Sequence, residues 1–286
     1  MRINVCVPTR AKTAYIGEYP VETAKNCTLP DTRIVLGFDH DDPLRPQGGA
    51  PLFDNPRIIV SVEQREDALG AKYNRCARAY DADIYVMSMD DVSISTKGWD
   101  EVLAKHAALF KDGIGYLYIG REANGEYLPS MIAVTRKVVD LVGFCPEFFP
   151  FWWNNMWVNE VATLIGGSGH RIIGVPVETR YPKGPLPEPP RRDVNFWAQF
   201  FDHTRTMRVE QAMKLIEAMD DGPTAKAVLK AAMRPRLQEL AVLNSRLRDP
   251  DFAQSMVRVT EPRDPRHQRL IDRANETVRT LMSEAA

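Results

Sequence analysis

The 286-residue chain carries 37 Lys and Arg against 38 Asp and Glu, a formal net charge of −1, so a basic surface for nucleic acid spread over the whole molecule is excluded. No apolar run is long enough to span a bilayer, and Met1-Arg-Ile-Asn-Val-Cys-Val enters a strand-like run with no signal-peptide pattern. The four cysteines, at 6, 27, 76 and 145, show no CxxC spacing, which points away from a zinc site or disulfide framework and towards reduced thiols in a cytoplasmic protein.

The first half alternates strands and helices. Strands are expected at Ile3–Val7, Arg33–Phe38, Arg57–Val62 and Ile84–Met87, each short, rich in β-branched residues and followed by Gly, Pro, Asp or Ser. Apolar residues at helical spacing cover Asp67–Tyr80 and Trp99–Phe110. This order predicts an α/β fold, a Rossmann-like, mostly parallel sheet with helices on both faces. Further strands are expected at Gly115–Ile119 and Met131–Thr135, with the polar loop Gly120–Leu128 between them, and a short helix at Arg136–Val142. An aromatic cluster follows: Phe144, Phe148, Phe149, Phe151, Trp152, Trp153 and Trp157. Helix Asn155–Ile165 and a last strand, Arg171–Val177, complete the pattern. The Pro-rich run Tyr181–Arg192 reads as a linker or lid. Beyond it lie two apolar stripes, Val209/Ala212/Met213/Ile216/Met219 and Leu270/Ala274/Val278/Leu281. The expected division is a nucleotide-binding domain at 1–182, a linker or lid at 183–207 and a helical extension at 208–286. The extension reads as packing or oligomer surface rather than catalytic machinery.

Chemistry concentrates at strand ends. Ile84-Tyr-Val-Met-Ser-Met ends in Asp90-Asp91, where open α/β sheets bind ligands. Adjacent carboxylates repel, and a divalent cation relieves the repulsion; hard oxygen donors suit Mg²⁺ or Mn²⁺, which would in turn hold a phosphate. The first strand ends in Pro8-Thr9-Arg10 and the second leads into Asp39-His-Asp41-Asp42, while the helix before the fourth holds Lys72-Tyr-Asn74-Arg75. Taken singly, each also fits a plain role: a strand exit, a capped turn, a solvated helix face. Together on one edge of a parallel sheet they could enclose a nucleotide.

In order and spacing these motifs resemble a GT-A-type, family-2-like glycosyltransferase over roughly residues 1–182. The resemblance implies a nucleotide-diphosphate sugar donor and transfer to an acceptor hydroxyl with inversion. It implies that Pro8, Thr9, Arg10 and Asp39 hold the nucleobase, that Lys72 and Asn74 approach the nucleotide, that Asp90 lies toward the ribose and that Asp91 binds the metal. The chain departs from that pattern twice. Asn154 or Asn155 stands where relatives tend to have a catalytic Asp, which leaves Glu147 and Glu160 as the nearest carboxylates and Glu160, on the same helix, as the favoured base. No His follows the last strand, where Val177-Glu178-Thr-Arg-Tyr181 stands instead; Glu178 or His203 is a possible substitute. Trp152 and Trp153, with Asn154 and Asn155, are candidates for the acceptor side, an exposed Trp being a natural platform for a sugar ring. The acceptor class stays open among saccharides, lipids, proteins and modified nucleic-acid bases. Two alternatives stand beside this: a catalytically silent nucleotide-binding or assembly protein, favoured by the two departures, and a nucleotidyltransferase, disfavoured because no Gly-rich loop follows the first strand.

Overall fold

The computed structural model of the protein describes residues 1–10, 13–43, 45, 55–120, 131–151, 153–167, 170–182, 193–245 and 264–284. Its main sheet contains β1 (Ile3–Pro8), β2 (Thr32–Asp39), β3 (Ile58–Glu63), β4 (Ile84–Met87), β6 (Tyr116–Ile119), β7 (Met131–Thr135) and β8 (Ile172–Val175), in the order β3-β2-β1-β4-β7-β6-β8. Pairing is parallel except that β7 runs antiparallel to both β4 and β6. β5 (Ser93–Ile94) and β9 (Thr179–Arg180) form a separate antiparallel ribbon just beyond the acidic pair.

Strand alternation sorts the core into two layers. Ile3, Val5, Val7, Ile34, Leu36, Ile84 and Val86 face one side, where they pack with Trp99 and Leu103 of α4 (Trp99–Ala107). Cys6, Val35, Tyr85, Met87, Ile132 and Val134 face the other, against α3 (Leu69–Ala79), α5 (Arg136–Val142) and α6 (Asn154–Leu164). Two buried polar side chains, Asn4 and Asp100, tie the layers together. Asn4 donates to the carbonyls of Cys76, Ala77 and Tyr80 and so closes the C-terminal end of α3. Asp100 accepts from the backbone of Thr28 and Leu29 and from the Thr32 hydroxyl at 2.7 Å.

The aromatic segment is core. Phe149 lies within about 6 Å, centroid to centroid, of Trp153, Trp157, Trp197, Phe200 and Phe201. Three of those partners belong to α7 (Val194–His203), so residues 194–203, expected within the linker, form a helix because Val194, Trp197, Ala198 and Phe201 make a buried face. The Pro-rich residues 183–192, like the loop 121–130 and Trp152, lie outside the described residues. After α7 come α8 (Arg205–Ala218), α9 (Pro223–Ser245) and α10 (Pro265–Glu284). Gln211 of α8 joins Trp157 to the carbonyl of Val142, which ties the helical region to the sheet domain. The short α1 (Thr13–Ile16) and α2 (Tyr19–Lys25) precede β2.

Candidate functional site

Strand order locates the crevice. β2 and β3 extend from one side of β1 while β4 lies on its other side, so the chain reverses its direction of growth between β1 and β4. Ligands of open α/β sheets bind outside the carboxyl ends of strands at such a point. Thr9 and Asp90 stand there, and the Thr9 hydroxyl donates to Asp90 Oδ2 at 2.9 Å.

Asp39 ends β2 beside them and is 1% exposed. A carboxylate so buried requires partners, and four cations supply them. Lys72 Nζ lies 2.7 Å from Oδ1 and also donates to the Thr9 carbonyl at 3.1 Å. Arg10 donates to Oδ2 at 3.0 Å while its fork also grips Asp41 at 2.8 and 3.3 Å. Arg75 and Arg65 stand at 3.6 and 3.8 Å. Lys72 and Arg75 share a face of α3 because they are three residues apart. Arg75 is itself anchored, donating to the carbonyls of Phe38 and Gln64 and pairing with Glu66. Burial pulls the Lys72 ammonium below its ordinary range, and the Asp39 carboxylate opposes that pull. Arg10 holds Asp41 down at about 2.

Asp90 and Asp91 are 4% and 8% exposed at the end of β4. Among the described residues no group of three or more His, Cys, Asp or Glu side chains is arranged to hold a metal. Two adjacent carboxylates without soft donors nevertheless fit Mg²⁺ or Mn²⁺, which accept few protein ligands when phosphate and water complete the shell. Glu178 is exposed and held next to β5, its amide donating to the Thr96 hydroxyl and its carbonyl accepting from the Ser95 amide, a few residues beyond Asp91. His203 ends α7, whose contacts are with the aromatic core.

Thr9, Arg10, Asp39, Lys72 and Asp90 therefore converge, with Pro8 closing β1 behind them and Asp91 next in the chain. Asn74 does not join them. It binds the segment before α6 instead, donating to the Cys145 carbonyl and to Glu147 at 2.8 Å and accepting from the Cys145 amide. Gly70 permits the same contact from one turn earlier: a Cβ there would lie 1.7 Å from the Pro146 carbonyl oxygen. Cys145, Pro146 and Glu147 are thus held against the first turns of α3.

Two expectations for the acceptor side are corrected. Glu160 is 1% exposed, with Arg208 Nε at 3.1 Å and Arg205 Nε at 3.6 Å. Arg208 is wholly buried between Phe201 and Trp157, and burial lowers its guanidinium to about 10. A carboxylate held in an interior ion pair lacks the exposure that a base facing an acceptor needs. Trp153 is buried against Phe149 rather than presented as a platform, and Asn154 is buried at the head of α6, while Asn155 is exposed. Glu147 is exposed and positioned by Asn74. Arg75 was legible only as the i+3 partner of Lys72; Arg65 carries no local signal.

No family model matches the sequence, and no curated protein matches it. Solved structures do match in shape. S. aureus TarS (residues 1–349), in complex with UDP-GlcNAc, superposes with a TM-score of 0.51 at 16% identity, over 82% of this chain and 72% of that one. The mannosyltransferase PcManGT from Pyrobaculum calidifontis, in complex with GDP-Man and Mn²⁺, matches over 97% of this chain and 86% of that one, with a TM-score of 0.48 at 14% identity. The likeness to TarS establishes a shared GT-A-type α/β fold.

Proposed function

We propose that this chain is a nucleotide-sugar glycosyltransferase that moves a sugar from a nucleoside-diphosphate donor to an acceptor hydroxyl, by direct displacement with inversion. The observation that carries the proposal is the convergence of Thr9, Asp39, Lys72 and Asp90 at the switch point between β1 and β4. The shared fold with a protein solved with UDP-GlcNAc supports the same conclusion.

In this mechanism the buried Asp39 holds Lys72 and Arg10 at the edge of the donor pocket, where they and Thr9 meet the nucleotide. Asp91, with Asp90 beside it, would hold Mg²⁺ or Mn²⁺. When bound, such an ion acts as a Lewis acid for the charge that develops on the leaving diphosphate. The acceptor lies beside the 144–155 segment. Glu147 is the carboxylate of that segment, and Asn74 engages one of its oxygens, leaving the other to take the hydroxyl proton. Residues 1–182 carry the groups named in this mechanism, and α8, α9 and α10 follow as a helical extension.

Calorimetry with UDP and GDP, with and without Mn²⁺, tests the donor pocket; failure of both to bind would sink the proposal. Asn154 at the head of α6 and the buried Glu160 favour a second reading, a nucleotide-binding protein without turnover. Nucleotide binding with no hydrolysis or transfer from any donor would select it.

A further inference from the structure

α10 begins at the donor edge, far in sequence from the strands it meets. Arg269 grips Asp67 through two nitrogens, at 2.5 and 2.9 Å, across 202 residues. His267 lies 2.9 Å from Asp193 at the start of α7. These contacts bring Asp264 and Arg266 to the rim formed by Arg10, Asp41 and Arg65.

At that rim three guanidinium groups surround one carboxylate. Asp41 receives Arg10 at 2.8 Å, Arg65 at 3.9 Å and Arg266 at 4.0 Å. Only the Arg10 contact is a hydrogen bond. Arg65 is 26% exposed by its side chain, and its contacts with Asp39, Asp41 and Asp264 measure 3.8, 3.9 and 4.0 Å. Among the described residues it thus stands near three carboxylates and hydrogen-bonds to none, since useful N–H···O bonds end near 3.2 Å. A half-buried planar fork with unspent donors is suited to acceptor atoms of a ligand that enters the gap. Arg266 commits Nε and Nη2 to Asp264 and turns Nη1 toward Asp41 without closing on it.

We propose, resting on the donor chemistry proposed above, that Arg65 and Arg266 donate to acceptor atoms of the nucleoside in the donor, so that α10 forms one wall of the nucleotide site. Asp41 and Asp264 hold the two guanidinium groups in place while the site is empty. The Arg269–Asp67 clasp positions the wall and does not touch the ligand.

The test uses the full chain and Arg65→Gln and Arg266→Gln variants, titrated with UDP, GDP and inorganic pyrophosphate in the presence of Mn²⁺. Expected are binding of a nucleoside diphosphate by the unaltered protein and roughly tenfold or greater weakening in each variant, the usual scale for a hydrogen bond to a charged group. Pyrophosphate affinity should not change, and Arg266→Lys should recover part of the loss. Nucleotide affinities equal to the unaltered protein in both variants would overturn this inference alone. Equal losses for pyrophosphate would also overturn it, by moving the contact to the phosphate end. Failure of the unaltered protein to bind either nucleotide would overturn the donor chemistry itself.

Discussion

The Thr9 hydroxyl and the Asp90 carboxylate meet at 2.9 Å across the seam between β1 and β4. The bond fixes one acidic side chain, and its neighbour in sequence, Asp91, is the residue proposed to hold the metal. Asp91→Ala is therefore expected to abolish the Mn²⁺-dependent part of nucleoside-diphosphate binding while leaving the metal-free part. Titration with and without EDTA checks this; a variant still enhanced by Mn²⁺ would remove Asp91 as the metal ligand.

Arg10 and Asp41 give a pH signature. The carboxylate is held near 2, below its ordinary 3.8, chiefly by the hydrogen bond from Arg10. Because the folded value is depressed, the pair's contribution is fully present above about pH 4 and fades as pH falls through about 2. Both side chains are about one-third exposed, so the stability at stake is small and screened by salt. Carboxylate titration by NMR is the appropriate measurement. In Arg10→Gln the Asp41 midpoint should rise toward 3.8, and an unmoved midpoint would contradict the assignment.

Glu160 and Arg208 should behave as structure. Arg208→Ala leaves the Glu160 carboxylate with only the more distant Arg205, and a loss of about 3 kcal/mol in urea unfolding is expected. Glu160→Gln keeps the volume and should cost less. Neither change should alter the pH profile of turnover, whereas a profile that loses its acidic limb in Glu160→Gln would restore Glu160 as the base.

Glu147→Gln carries the opposite expectation. Removing a general base lowers kcat by roughly 100-fold or more with little effect on donor KM. Asn74→Ala, which releases Glu147 and the Cys145 backbone, should reproduce part of that loss. Unchanged kcat in Glu147→Gln would dismiss the role.

Short β-branched strands gave their positions away, β1, β4, β6 and β7 being buried on both faces, and most boundaries differ from expectation by one or two residues. Ile84–Met87 and Met131–Thr135 agree with it fully. The convergence of Thr9, Asp39 and Asp90 was legible because parallel strands deliver their carboxyl ends to one edge. Other features had no local signal. β5 and β9 are two residues each and exist through their mutual pairing. α2 has a mixed face in which Tyr19, Pro20, Thr23 and Ala24 are buried, so apolar spacing did not mark it. Glu160 looked like an accessible helical acid because its partner lies 48 residues further on, on another helix. Trp153 looked available as a platform because adjacency to Trp152 says nothing of its left-handed backbone, φ 71°, which turns it inward.

The Arg269–Asp67 clasp also sets an order of events during synthesis. Every strand of the main sheet, and both acidic residues at its switch point, are made well before Arg269 emerges. A growing chain can therefore close its sheet while the rim beside Asp41 is still open to water. Contacts of such long sequence separation form late, because their loop-closure cost is met only once the scaffold exists.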